Sequence, residues 1–167
     1  MAYTIERAKP EDARDFAHIQ TESWKAAFRE ILSPDVLAAS TALDRTTTMY
    51  ERLIAQQIGN GYLLRVDGLP HCIAWWDATR ANDMPGYAEL ICIHSLQDRW
   101  RQGYGSKMIA QVLADMAAAG YQRAMLWVFR ENHTTARRFY EKHDFRPNGR
   151  EKIGLGTVEL CYEKALT

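Results

Sequence analysis

Between Gly86 and Phe129 the chain reads as strand, glycine turn, helix and strand in close succession. "GYAELICIHS" (86–95) is apolar and strand-like. "RWRQGYGSKMI" (99–109) is basic and carries Gly103 and Gly105 one residue apart. The pattern from 105 to 119 sets Met108, Ile109, Val112, Leu113 and Met116 on one helical face, and Gly120 is placed to cap it. "RAMLWVF" (123–129) is nearly all apolar, as expected of a strand covered on both faces. Two strands joined by a single helix lie parallel, with a right-handed crossover. A sheet with a helix against it is therefore built into the middle of the chain.

The flanks add antiparallel pairs. "YTIERA" (3–8) alternates as a strand. Pro10, Glu11 and Asp12 open a helix, with proline suited to the first turn and the acids to the dipole. Phe16, Ile19, Trp24, Ala27 and Phe28 form its apolar face. Ser33-Pro34 starts a short second helix, and "RTTTMYERLIAQQI" extends the helical region to about Ile58. "YLLRV" (62–66) and "HCIAWWDA" (71–78) form a hairpin around Asp67-Gly68. Asn132 and the following threonines start another helix, striped by Ala136, Phe139, Tyr140 and His143. "FRPNGREK" and "TVELCYEKAL" pair as the last two strands. The order β-α-α-β-β-β-α-β-α-β-β gives one mixed sheet flanked by helices, in one domain over residues 1–167.

Charge narrows the partners. Lys+Arg and Asp+Glu are both 21, for a formal net charge of zero. A nucleic-acid binder usually has a basic excess, so none is expected. No stretch nears the roughly 20 apolar residues of a membrane span, and the start lacks the apolar core of a secretory leader. Cys72, Cys92 and Cys161 are odd in number, far apart and set in apolar surroundings. That suits reduced thiols and a cytoplasmic location. The five histidines show no metal-ligand spacing, so no metal is expected.

The glycine turn suits a phosphate. Glycines permit a tight bend and close approach of a ligand to backbone. The helix that follows offers unbonded N–H groups and a favourable dipole, and Arg101 and Lys107 add charge. A dinucleotide fingerprint fails because Met108 stands at its third glycine. A P-loop fails on the spacing before Gly105-Ser-Lys107.

"RWRQGYGSKMI" resembles the acetyl-CoA loop, Q/R-x-x-G-x-G/A, of the GNAT N-acetyltransferase superfamily. "AELICIHS" resembles the strand before that loop. "LWVFRENHTTARRFYEKHDFRPNG" and "GLGTVELCYEKAL" resemble the elements after it, so the likeness covers roughly residues 86–166. The N-terminal half matches more loosely. Trp100 stands where Gln or Arg is usual, and Gln97 where proline is common. The resemblance implies an α+β fold of three layers (α/β/α), with a mixed, mostly antiparallel sheet of six to seven strands. It also implies transfer of acetyl from acetyl-CoA directly to a primary amine of a small molecule or peptide, with no acyl-enzyme. The alternative is a non-catalytic acyl-CoA-binding or sensor domain on the same fold. A homodimer is a common habit of such enzymes.

Residue roles follow from that likeness. Tyr140 takes the place of the general acid that protonates the thiolate. The alternative is a core aromatic. Glu89, fourteen residues before Gly103, takes the place of the base in the histone-acetylating branch, or else forms an ordinary ion pair on its strand. Ile93 and Ser95 would pair through their backbone with the pantetheine arm. Arg101, Gln102, Gly103, Tyr104, Gly105 and Ser106 would form the pyrophosphate loop. Asn132 or His133 would take the family's asparagine role. Arg137, with Arg138, would meet the 3′-phosphate or else lie on a solvated face. Trp24, Phe28 and Trp76 lead the candidate acceptor walls, with Tyr50 and Trp75. Cys92 reads as an inert buried thiol rather than a nucleophile.

Overall fold

A computed structural model describes residues 2–166. The strands are β1 (Tyr3–Arg7), β2 (Asn60–Val66), β3 (Leu69–Ala78), β4 (Tyr87–Ser95), β5 (Arg123–Phe129), β6 (Arg146–Gly154) and β7 (Thr157–Ala165). The helices are α1 (Ala13–Ala27), α2 (Pro34–Ser40), α3 (Leu43–Ala55), α4 (Tyr104–Ala118) and α5 (Ala136–Lys142). The seven strands form one sheet in the order β1-β2-β3-β4-β5-β7-β6. Only β4 and β5 run parallel, as the strand–helix–strand segment requires.

Alternation along the strands sends side chains to two cores. Tyr62, Leu64, Ala74, Trp76, Leu90 and Leu126 meet the apolar face of α4 on one side. Leu63, Ile73 and Trp75 meet Phe16, Ile19 and Tyr50 of α1 and α3 on the other. The sheet is thus the middle of three layers. The Asp67-Gly68 hairpin has positive φ at both residues (52° and 83°), the geometry that matches strand twist in a two-residue turn.

Two helix boundaries differ from the sequence expectation. The region before β2 holds two helices, α2 and α3, and the second stops at Ala55 rather than near Ile58. Gln57 takes a left-handed φ of 53°, and Ile58 N–H returns to Leu53 O at 2.9 Å. This is a Schellman stop made without glycine. The last helix begins at Ala136, not Asn132. Asn132 instead closes a turn before it, its Oδ1 accepting from Thr135 Oγ1 and Ala136 N–H.

The site is prepared by two irregularities in β4. Its register with β3 runs Trp75↔Cys92 and then Trp76↔Leu90, skipping Ile91. The bulge turns both Ile91 and Cys92 toward the α1 side. Its parallel ladder with β5 lasts only three rungs and ends at Glu89↔Met125. Both strands continue, β4 to Ser95 and β5 to Phe129, so beyond that rung they part. Among the described residues the facing backbone edge of β4 there has no strand partner, which leaves a wedge in the sheet.

Candidate active site

A cleft of about 1190 Å³ runs through this wedge. At one end lies the start of α4. Gly103 is its N-cap with φ 86°, a left-handed conformation that L side chains adopt at a cost. Gly105 has a different reason to be glycine: a Cβ there would press on Phe139 Cε1 at 3.2 Å, so its bareness lets α5 pack close. The helical bonds begin with Lys107 N–H to Gly103 O (3.2 Å), which leaves the preceding first-turn N–H groups for another acceptor. Ser106 Oγ and His143 Nε2 lie 2.9 Å apart and tie the start of α4 to the end of α5. Trp100 donates its indole N–H to Ser95 O (2.8 Å), pinning the loop to the end of β4.

Arg101, Gly103, Tyr104, Gly105 and Ser106 line the cleft, as do Ile93, Ser95 and Asn132. Gln102 and His133 are not among its walls. Nor is Arg137. Its guanidinium donates to Tyr162 Oη (2.9 Å) and Arg130 O (2.8 Å), which fixes it as a brace between α5 and β7. Arg138 and Lys142, on the same helix, supply positive charge to the cleft instead. Lys107 lies over the Tyr3 ring, 4.9 Å from its centroid. His71, which sequence inspection passed over, also lines this end. It sits in a second bulge, opposite no β2 residue, meets the Tyr104 ring edge-on, and its buried Nδ1 has no partner among the described residues.

Tyr140 stands on α5 against the cleft, its ring packed edge-on against Phe139 and Phe145. Burial above all pushes its phenol far up, so the hydroxyl keeps its proton. That hydroxyl makes no hydrogen bond among the described residues and is open to the cleft.

The other end is aromatic. Trp24, Phe28, Tyr50 and Trp75 line it, joined by Trp127 and Phe129 of β5. Trp76 does not. Its ring faces the α4 core, donating its N–H to Tyr62 Oη at 3.0 Å. Successive residues of β3 point to opposite faces, so only one of the two tryptophans can reach the cleft. Cys92 lines the wall beside Tyr50 Oη (3.9 Å), and burial lifts its thiol to about 11, which leaves no thiolate at neutral pH.

Glu89 occupies the last rung before the strands part and is 1% exposed. Arg80 holds both of its oxygens: Nη2 reaches Oε2 at 2.6 Å, and Nε and the backbone N–H reach Oε1 at 3.2 and 3.0 Å. The arrangement is an ion pair, and Arg80, not Glu89, faces the cleft. Asp77 of β3 and Glu159 of β7 also face it. Both escaped sequence inspection. A carboxylate on the inner face of a strand flanked by apolar neighbours was the available signal for Glu159.

His94 lines the cleft and accepts the Trp24 indole N–H on Nε2 at 3.0 Å. In the neutral ring the proton is then on Nδ1. Burial lowers its pKa to about 4. Above pH 6.5 the ring is neutral in both folded and unfolded chains and stability is full. As pH falls from 6.5 to 4 the unfolded chain takes up the proton first, and stability is lost, by about 3 kcal/mol in all. His94→Gln is expected to remove about that much of the acid sensitivity, read from urea titrations at pH 7 and pH 4.5 on both proteins.

Comparison with known proteins places these features among relatives. The model of the acetyltransferase (GNAT) family matches residues 15–145. A Bacillus subtilis protein described as the uncharacterized N-acetyltransferase YuaI is 26% identical, covering 98% of this chain and 97% of its own. The PaiA N-acetyltransferase of Thermoplasma acidophilum, solved in complex with coenzyme A, superposes with a TM-score of 0.79 at 17% identity, covering 99% of each chain. YncA of Salmonella typhimurium, solved with acetyl-CoA, superposes with a TM-score of 0.74 at 14% identity, covering 100% of this chain and 95% of that one. Among the described residues no three His, Cys, Asp or Glu side chains are grouped to hold a metal, and no helix is long and apolar enough to cross a membrane.

Proposed function

This chain belongs to the acetyltransferase (GNAT) family, and we propose that it transfers the acetyl group of acetyl-CoA directly to a primary amine. The observation that carries the proposal is the coincidence of three features at one wedge. β4 presents an unpaired edge beyond Glu89, α4 points its first turn into the same opening, and the Tyr140 hydroxyl faces it. An extended pantetheine arm can lie along such an edge as an added strand. Its pyrophosphate would meet the α4 N-terminus, with Arg101 and Arg138 beside it. Acetyl-CoA and coenzyme A in the YncA and PaiA structures support that use of the fold.

In the reaction the amine nitrogen attacks the thioester carbon. The C–N bond forms, the C–S bond breaks, and the departing thiolate takes the Tyr140 proton. The nitrogen sheds its surplus proton to solvent, from which the Tyr140 phenolate regains its own. Cys92, held as a thiol, has no part in an acyl-enzyme. Glu89 is kept as the structural partner of Arg80 rather than given the proton. Glu89→Gln is therefore expected to cost about 1–3 kcal/mol and lower Tm by about 5 °C, while the pH profile of kcat keeps its shape. Thermal melts and rate profiles check both halves.

Saturating acetyl-CoA is expected to raise Tm, as a ligand of the folded state alone does, by the equivalent of about 2.7 kcal/mol at 100 times Kd. NAD is expected to leave it unchanged. No shift with acetyl-CoA would overturn the proposal. The reduced cysteines and the use of acetyl-CoA accord with work in the cytoplasm.

A further inference from the structure

We propose that the acceptor is an alkyl- or arylalkylamine that arrives as its ammonium ion, that Glu159 is the carboxylate that receives it, and that the held ammonium gives one proton to water before its neutral nitrogen attacks; this rests on the acetyl-transfer function above. Glu159 lies on β7 opposite Phe129, alongside the part of β5 that has left β4. Its side chain is only 19% exposed and faces the aromatic end of the cleft.

The chain itself shows what this corner holds. The Lys152 ammonium sits 4.5 Å over the Trp127 ring centroid and 3.9 Å from Glu159 Oε2. An indole face beside a carboxylate is a pairing that attracts an organic ammonium. Lys152 reaches in from the rim, is 45% exposed and stands at the outer limit of an ion pair. Such a contact is worth little and yields to a better-placed cation. The hairpin is also shaped around the carboxylate: a Cβ at Gly154 would overlap Glu159 Oε2.

The other charges at this end leave Glu159 available. Arg80 is committed to Glu89 through two guanidinium nitrogens. Arg52 is exposed on α3, and Asp77 adds negative charge. Burial raises the Glu159 carboxyl, Lys152 and Arg80 pull it the other way, and Glu89 adds to the rise. An α-amino acid would bring its own carboxylate toward Glu159 and Asp77 and be repelled. An amine on a plain carbon body would not, and Trp24, Phe28 and Trp127 offer that body apolar walls.

The test uses the full chain with saturating acetyl-CoA and follows release of the CoA thiol with 2-phenylethylamine, hexylamine and phenylalanine. kcat/KM for 2-phenylethylamine is expected to exceed that for phenylalanine by about 100-fold. Glu159→Gln is expected to lower it about 10- to 30-fold, chiefly through KM, and to narrow the preference over phenylalanine. Gly154→Ala, which displaces the carboxylate without removing it, is expected to fall between. Lys152→Ala is expected to hold or raise kcat/KM. Acetyl-CoA affinity by calorimetry is expected to stay within about twofold in all three, which also certifies folding. A wild-type protein that binds acetyl-CoA yet prefers phenylalanine, or acetylates neither plain amine, overturns the inference. So does an unchanged kcat/KM in Glu159→Gln, or an equal loss in Lys152→Ala. Failure of the wild type to bind acetyl-CoA instead overturns the function on which the inference rests.

Discussion

Tyr140→Phe is expected to lower kcat by about 10²–10⁴, the usual worth of a general acid, with acetyl-CoA affinity within about twofold of wild type. The substitution removes one hydroxyl and keeps the ring between Phe139 and Phe145. Because that hydroxyl makes no hydrogen bond among the described residues, no internal bond is lost and Tm is expected to hold. Burial keeps the phenol protonated across the working pH range. The same burial makes it a weak acid, so in the proposed reaction its proton would move only as the C–S bond breaks and charge gathers on sulfur. A core-only Tyr140 predicts the opposite: kcat preserved in the phenylalanine variant. Steady-state kinetics, calorimetry and a thermal melt on the two proteins separate these outcomes.

Gly103→Val is expected to weaken acetyl-CoA binding about 100-fold or more. The φ of 86° at this N-cap is strained for any L residue and worst for a β-branched one. Open space surrounds the position, since a Cβ there meets nothing within 4 Å, so the strain is conformational rather than a clash. Relieving it means re-aiming the first turn of α4, whose N–H groups are the proposed phosphate donors. Trp100→Ala removes only the tie to Ser95 O and is expected to cost much less. Equal losses from the two would contradict phosphate binding by backbone N–H groups.

The elements that carry this site were legible where the signal is local. Alternation, the paired glycines and Gly120 placed β4, α4 and β5 within about a residue, because each depends on neighbours in sequence. Left-handed Gln57 was not legible, since nothing in its identity asks for that conformation. The site was harder to read because it depends on register between strands. The bulge at Ile91 and the last rung at Glu89↔Met125 are properties of pairs, not of either strand alone. They decide that Glu89 is sealed under Arg80 and that the cleft opens just beyond it. The same holds for adjacent residues on one element. Trp75 and Trp76 are alike by composition, as are Arg137 and Arg138, and only the packing of β3 and α5 sends Trp75 and Arg138 to the cleft. Glu159 and Trp127 come together through the β5–β7 pairing, across about thirty residues of sequence.

The wedge between β4 and β5 is proposed to perform acetyl transfer and not merely to bind acyl-CoA. That transfer is tested most directly by incubating the protein with acetyl-CoA and a panel of primary amines and quantifying free CoA thiol and N-acetylated amine together. The two are expected to appear in equal amounts, well above the rate without protein, and to fall together in Tyr140→Phe. Tight acetyl-CoA binding with no product above the protein-free rate, for any amine of the panel, would contradict it and leave a binding domain on the same fold.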